Sequence, residues 1–191
     1  MESLTGQEKI HLLRLVRETI CRQVRKEDFQ LQQNEHFELK QVSGAFIALH
    51  IEDELRGCLG EILIAEPLPL YRIIQELALD AAAKDPRFHP IQPQEVGKLN
   101  IEISVLSSLK PIQSYEEIEV GSHGLIVQDQ GSLGLLLPQE ATKNRWDREA
   151  FLSHACLKAG LPKDHWKGAN PKVKTFFAEV FSELDYTQTN S

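Results

Sequence analysis

Gly57 and Gly60 sit three positions apart inside a stretch that otherwise reads as a β-hairpin, and no other feature of this 191-residue chain restricts its fold as tightly. Ala45 to Ile51 is rich in strand formers, Glu52, Asp53 and Glu54 make a charged turn, and Leu55 to Leu59 returns as the second strand. Glycine inside a strand weakens it. Its presence means that the backbone bends there, or that something approaches the main chain where a Cβ would obstruct it. Cys58, between the two glycines, is therefore placed at a sheet.

The remaining elements follow from periodicity. Thr5, Gly6, Gln7 and Glu8 form a capping box that opens a helix, and Ile10, Leu13, Val16, Ile20 and Val24 give it one apolar stripe. Arg14, Arg17, Arg22 and Arg25 lie largely off that stripe and read as a solvated face. Lys26 to Lys40 is polar and reads as a loop, with a short extended piece near Phe37 and Leu39. Pro67 and Pro69 approach a second helix, whose stripe of Leu70, Ile73, Ile74, Leu77 and Ala81 ends at Asp85 and Pro86. Leu99 to Leu106 alternates apolar and polar residues as a half-buried strand, from which Glu102 projects.

Further strands are expected at Ile118 to Val120, Gly124 to Gln128 and Leu133 to Leu137, the last two joined by a turn through Asp129 to Ser132. Asp147 caps a helix through Phe151, Leu152, Ala155 and Ala159, and Val173 to Phe181 is a final strand. The sum is an α+β chain with mostly antiparallel sheet and flanking helices. It reads as a single domain over residues 1–185, either one unit or two interleaved sublobes, with residues 186–191 as a frayed tail.

Charge and cysteine content narrow the function classes. A formal net charge of -7 and a pI near 5.5 disfavour a polyphosphate partner, since nucleic-acid affinity rests on Lys and Arg neutralising phosphates. That alternative needs Arg14, Arg17, Arg22, Arg25 and Lys26 to form an unpaired basic stripe. Three cysteines without regular spacing describe reduced thiols in a cytoplasmic compartment rather than a disulfide framework. Neither a secretory signal nor a membrane-length apolar run is read, and no cofactor is called for. Metal-ligand spacing is absent: there is no Cys-x-x-Cys, and His154 and Cys156 are two apart on a helix, facing different ways.

Leu55-Arg56-Gly57-Cys58-Leu59-Gly60 resembles the signature of the AMMECR domain family, also described as component A of the AmmeMemoRadiSam system, in which Ile is commoner than Leu59. Asp85-Pro86-Arg87-Phe88-His89-Pro90, Glu102-Ile103-Ser104-Val105-Leu106, Gly121-Ser122-His123-Gly124-Leu125, Leu136-Leu137-Pro138-Gln139 and Trp146-Asp147 support the resemblance in order and spacing. It runs from Gln7 to Ser182 and is similar to the short bacterial and archaeal members. It implies an α+β fold with two sublobes around a cleft. It also implies a place beside Memo-like and radical SAM proteins in a redox or modification pathway, without assigning a reaction.

The residues themselves support two site chemistries. In one, Cys58 is a nucleophilic or redox thiol, its pKa lowered by Arg56 on the same strand face, with Asp85, His89 or His123 as base. Set against it, Cys58 is a small buried hydrophobe and Gly57 and Gly60 serve packing. In the other, Arg56 and Arg87, with glycine-backed amides at Gly57 and Gly60, bind a small anionic ligand or a partner protein, and Glu102 orients an arginine from the sheet face. The competing reading pairs each arginine with Asp85, Glu102 or another acid to fasten the hairpin. Arg56, Gly57, Gly60, Asp85, Arg87, His89, Glu102 and His123 are the candidate binding residues.

Overall fold

The computed structural model describes residues 3–27, 44–62, 69–129, 131–168 and 172–187. The chain divides into two compact units, residues 1–106 with 179–191, and residues 107–178. The extended piece expected near Phe37 and Leu39, the rest of its loop from residue 28 to 40, and Pro67 lie outside the described residues.

The first unit runs α1 (Gly6–Arg25), β1 (Gly44–Ile51), β2 (Glu54–Ile62), α2 (Leu70–Ala83), α3 (Pro93–Val96) and β3 (Asn100–Leu106). α1 begins at the capping box: the Thr5 hydroxyl accepts the Glu8 N–H, and the Glu8 carboxylate accepts the Thr5 N–H at 2.6 Å. β1 pairs antiparallel with β2 on one side and β3 on the other. Ala45, Ile47 and Leu49 of β1 and Ile101, Ile103 and Val105 of β3 are fully buried, in one core with Leu13, Val16 and Ile20 of α1 and Ile73, Ile74 and Ala78 of α2. Strand alternation sends the intervening residues, Phe46, Ala48 and His50, to the other face.

The hairpin shows what its glycines are for. At Gly57 a Cβ would lie 2.5 Å from the carbonyl oxygen of Ala81, so the strand touches the backbone of α2 and has no room for a side chain. On the opposite face a Cβ at Gly60 would lie 1.9 Å from the Phe46 ring, which covers the glycine from the paired strand. Close approach accounts for both glycines. The bend is elsewhere: the register shifts between Leu49 and His50, pairing them with Gly57 and Leu55 and leaving Arg56 as the extra residue of a β-bulge. Glu52 and Asp53 at the hairpin turn both adopt left-handed backbone, with φ of 51° and 65°, as a two-residue loop matched to strand twist requires.

In the second unit, β4 (Lys110–Pro111), a 3-10 turn at Tyr115–Glu117, β5 (His123–Asp129), β6 (Ser132–Leu136), α4 (Pro138–Asn144), α5 (Arg148–Lys158) and β7 (Lys172–Ser182) follow in order. β5 lies between β6 and β7, antiparallel to both. Leu125, Val127, Leu136, Phe151, Leu152, Ala155 and Trp166 form this unit's core. Residues 179–182 of β7 and the closing helix α6 (Leu184–Thr187) belong to the first unit.

Three expectations are corrected. Ile118 to Val120 is not a strand: Ile118 is fully buried and closes the 3-10 turn by donating its N–H to the Tyr115 carbonyl, and Val120 makes only an isolated bridge to His123. α3 and α4 were not anticipated, although both carry a proline in the first turn and a glutamate that accepts the N–H three residues before it, Glu95 from Gln92 and Glu140 from Leu137. Tyr186, expected to fray, lies within α6.

Gly57→Ala is expected to lose roughly 1–3 kcal/mol, the usual cost of forcing a methyl into a packed contact, measured by urea denaturation. Gly6→Ala, where a Cβ meets nothing within 4 Å, is expected to stay within about 0.5 kcal/mol of the parent.

Candidate functional site

α2 ends at Ala83, and the chain then carries Asp85, Arg87, Phe88 and His89 past the outer edge of β2. Among the described residues β2 pairs with β1 alone, so alternate main-chain groups along its other side have no strand to bond. Cys58 presents one such N–H and C=O, and side chains take the place of a strand. The Asp85 Oδ2 accepts the Cys58 N–H at 2.8 Å, and the Arg87 Nη2 donates to the Cys58 carbonyl at 3.2 Å.

The two side chains are themselves joined as a fork. Arg87 Nη2 donates to Oδ2 at 2.7 Å and Nε to Oδ1 at 3.0 Å, while the Arg87 backbone N–H also reaches Oδ1 at 3.1 Å. The Asp85 side chain is only 2% exposed, the Arg87 side chain 56%. The Arg87 hydrogen bond holds the Asp85 carboxyl well below the usual carboxylate range against the opposing effect of burial, and the two backbone N–H groups add to it. The same pairing pushes the Arg87 pKa upward.

Arg56, aimed by the bulge, is engaged on every side. Its Nε and Nη2 donate to the two Glu95 oxygens at 2.7 and 3.1 Å, Nη1 to the His89 carbonyl at 2.8 Å, and Nη2 also to the Pro90 carbonyl at 3.4 Å. Arg56, first among the influences on Glu95, lowers that carboxyl's pKa. Phe88 stands between the two cations, its ring centroid 6.0 Å from the Arg56 guanidinium carbon and 5.4 Å from that of Arg87.

The expectation that Glu102 orients an arginine is corrected: Glu95 holds Arg56 and Asp85 holds Arg87. Glu102 instead shares a row with Ala48 and Cys58 across the three strands. The bulge likewise breaks the two-residue alternation that would have put Arg56 and Cys58 on one face. Cys58 is half-buried, and burial pushes its thiol pKa up; Arg87 opposes the rise, whereas the Asp85 and Glu102 charges add to it. His89 is exposed. His123 belongs to the second unit, where its Nδ1 accepts the Glu119 N–H and its ring meets Phe177 edge to face.

The basic run of α1 is largely paired: Arg17 binds Glu183 and the carbonyls of Val96 and Leu99, Arg22 binds Glu18, and Arg25 lies 3.7 Å from Glu27. Among the described residues no group of three or more His, Cys, Asp or Glu is arranged to hold a metal ion, and no helix is long and apolar enough to cross a membrane. Glu95 is the residue that sequence reasoning missed. Pro93 and Glu95, spaced as a helix start, were its signal.

A family model for AMMECR1 matches residues 13–181. The chain belongs to the AMMECR1 family. Among its relatives, protein MK0488 of Methanopyrus kandleri is 40% identical over an alignment covering 95% of this chain and 91% of its own length. Protein MJ0810 of Methanocaldococcus jannaschii is 40% identical over 74% of each. The crystal structure of uncharacterized protein PH0010 from Pyrococcus horikoshii superposes with a TM-score of 0.80 at 35% identity, covering 91% of this chain and 90% of that one. That likeness supports the mixed α+β architecture.

With its pKa raised, Cys58 is expected to react with iodoacetamide in the native protein more slowly at pH 7.5 than a free thiol of pKa about 8.5, and its rate is expected to go on rising with pH after that of the free thiol has levelled off. A Cys21→Ser, Cys156→Ser background followed by mass spectrometry isolates the site.

Proposed function

We propose that the outer edge of β2, from Arg56 and Cys58 to the Asp85–Pro90 segment, is a recognition site for a small anionic ligand or an anionic group on a partner protein, with Arg87 as its contact. The observation that carries this is the unequal exposure of the fork. A nearly dry carboxylate is committed to holding a guanidinium that remains more than half in solvent. The arginine is thereby fixed in orientation before any ligand arrives, which removes part of the entropy cost of binding.

The geometry also defines the ligand's contact. Asp85 occupies the Nε and Nη2 side of the guanidinium and Cys58 takes a further Nη2 donor, so Nη1 is the nitrogen without an acceptor among the described residues. One oxygen of a carboxylate or phosphate fits there, rather than a two-point clamp. Phe88 backs the guanidinium, and His89, two residues on, is exposed. Arg56, spent on Glu95 and two carbonyls, supports the rim. The partners suggested by the resemblance, a Memo-like protein and a radical SAM protein in a redox or modification pathway, supply the macromolecular form of the same proposal.

A Cys58-dependent reaction is the second reading, favoured only by the nearness of the Arg87 guanidinium to the thiol. Burial outweighs that cation, and among the described residues no histidine is hydrogen-bonded to Cys58.

Titrating the isotopically labelled protein with inorganic phosphate, while following the Arg87 Nε–Hε resonance, is expected to give a saturable shift with a Kd on the order of millimolar. Arg87→Lys, compared with the parent through the Cys58 amide resonance that both proteins carry, keeps a cation beside Asp85 but not the fork, and is expected to weaken binding at least about tenfold, equivalent to roughly 1.4 kcal/mol. An unsaturable response in the parent, or an unchanged affinity in the variant, contradicts the proposal. Thermal melts of both proteins distinguish lost binding from lost fold.

A further inference from the structure

We infer that Glu95 is a positioning residue for this anion site, acting through Arg56 on the backbone that presents Arg87. The inference rests on the recognition role proposed for Arg87, and extends it to a residue in a different element.

α3 is a single turn of helix, and its glutamate makes two kinds of contact at once. One Glu95 oxygen accepts the Gln92 N–H at 2.7 Å, closing the helix start, and the two oxygens together grip the Arg56 guanidinium. Arg56 passes the restraint on, donating to the His89 and Pro90 carbonyls directly after Arg87 and Phe88. The segment is pinned at its other points by the Phe88 N–H on the Asp85 carbonyl at 3.1 Å and the Ile91 N–H on the Ala82 carbonyl at 2.8 Å. Without Arg56, the His89 carbonyl loses its side-chain donor and the Pro90 carbonyl keeps only that of Gln92, whose Nε2 donates to it at 2.9 Å.

The exposures set this pair apart from an ordinary surface ion pair. The Arg56 side chain is 18% exposed and that of Glu95 23%, so both are largely withdrawn from solvent, and each donor nitrogen of Arg56 already has an acceptor. A ligand anion finds no unoccupied edge on Arg56. Its two-point geometry with Glu95 fixes the plane of the guanidinium, which determines where the two carbonyls are held. Glu95 therefore acts on Arg87 at one remove, as outer partners of a binding group do.

The test compares Glu95→Gln, Arg56→Gln and the double variant with the parent, reading phosphate affinity by the Arg87 Nε–Hε shift and hydrogen exchange at the Phe88 and Ile91 amides. Glu95→Gln retains an oxygen for the Gln92 N–H but loses the charge. The expected result is about tenfold weaker phosphate binding and faster exchange at both amides, with little change in the melting temperature. The double variant is expected to be no worse than either single one, because the two residues act in series.

Unchanged exchange and affinity in Glu95→Gln overturn the inference, and so does tighter binding, which would show Glu95 to be competing with the ligand for Arg56. If variants unfold, Glu95→Asp serves, with a shorter carboxylate expected to restore the charge but not the exchange protection. Absence of phosphate binding in the parent defeats the recognition role itself, whereas the exchange measurement still decides whether Glu95 holds the segment.

Discussion

Asp85 brings four donors to one nearly dry carboxylate: its neighbour's backbone N–H, two nitrogens of that neighbour's side chain, and the N–H of Cys58 from another element. A buried carboxylate without such partners would carry a large desolvation cost, so its position and theirs are set together. The interaction joins the end of α2 to the edge of β2. It satisfies both outward main-chain groups of Cys58, since Arg87 answers the carbonyl while Asp85 answers the amide. An open strand edge is thereby closed at one residue by a charged pair rather than by another strand.

Gly57 makes this closure possible. α2 lies so near β2 that a Cβ at that position would enter the van der Waals radius of the Ala81 oxygen, and this proximity delivers Asp85, four residues later, to the strand edge. The bulge at Arg56 then turns a second guanidinium toward α3, and Phe88 lies between the two cations. The proposed recognition site is thus a by-product of tight helix-on-sheet packing. Its elements are ones that hydrophobic burial already holds in place, with the ion pairs setting orientation.

Much of this was legible from residue order. The capping box at Thr5, the stripe of α2, the alternation of β3 and the glycine-interrupted hairpin each follow a local rule, and each was placed near its observed bounds. The significance of Gly57 and Gly60 could be read as close approach or bending, but what approached could not, because Ala81 and Phe46 are neighbours only in the folded chain. Arg56 shows the limit more sharply. Alternation along an ideal strand put it beside Cys58, whereas one extra residue in the register sent it to Glu95, and a bulge leaves little local trace. Glu95 itself stood in a readable helix-start pattern too short to register among longer apolar periods. Residue order allows Arg87 either to pair with Asp85 or to stay free for a ligand, and only the fold, which brings both to Cys58, shows the pairing.

The titration of the Asp85 carboxyl, followed by carbon NMR alongside the Cys58 amide shift, tests the central interaction most directly. A carboxyl whose folded pKa is depressed contributes stability that is fully present above its unfolded value, about 3.9, and is lost as the pH falls toward the folded value. The account therefore expects Asp85 to stay ionised well below pH 3.9 in the folded protein, with the Cys58 amide moving only when it protonates or the chain unfolds. Ordinary titration near that pH, with the Cys58 amide unaffected, would contradict the fork and with it the role assigned to Arg87.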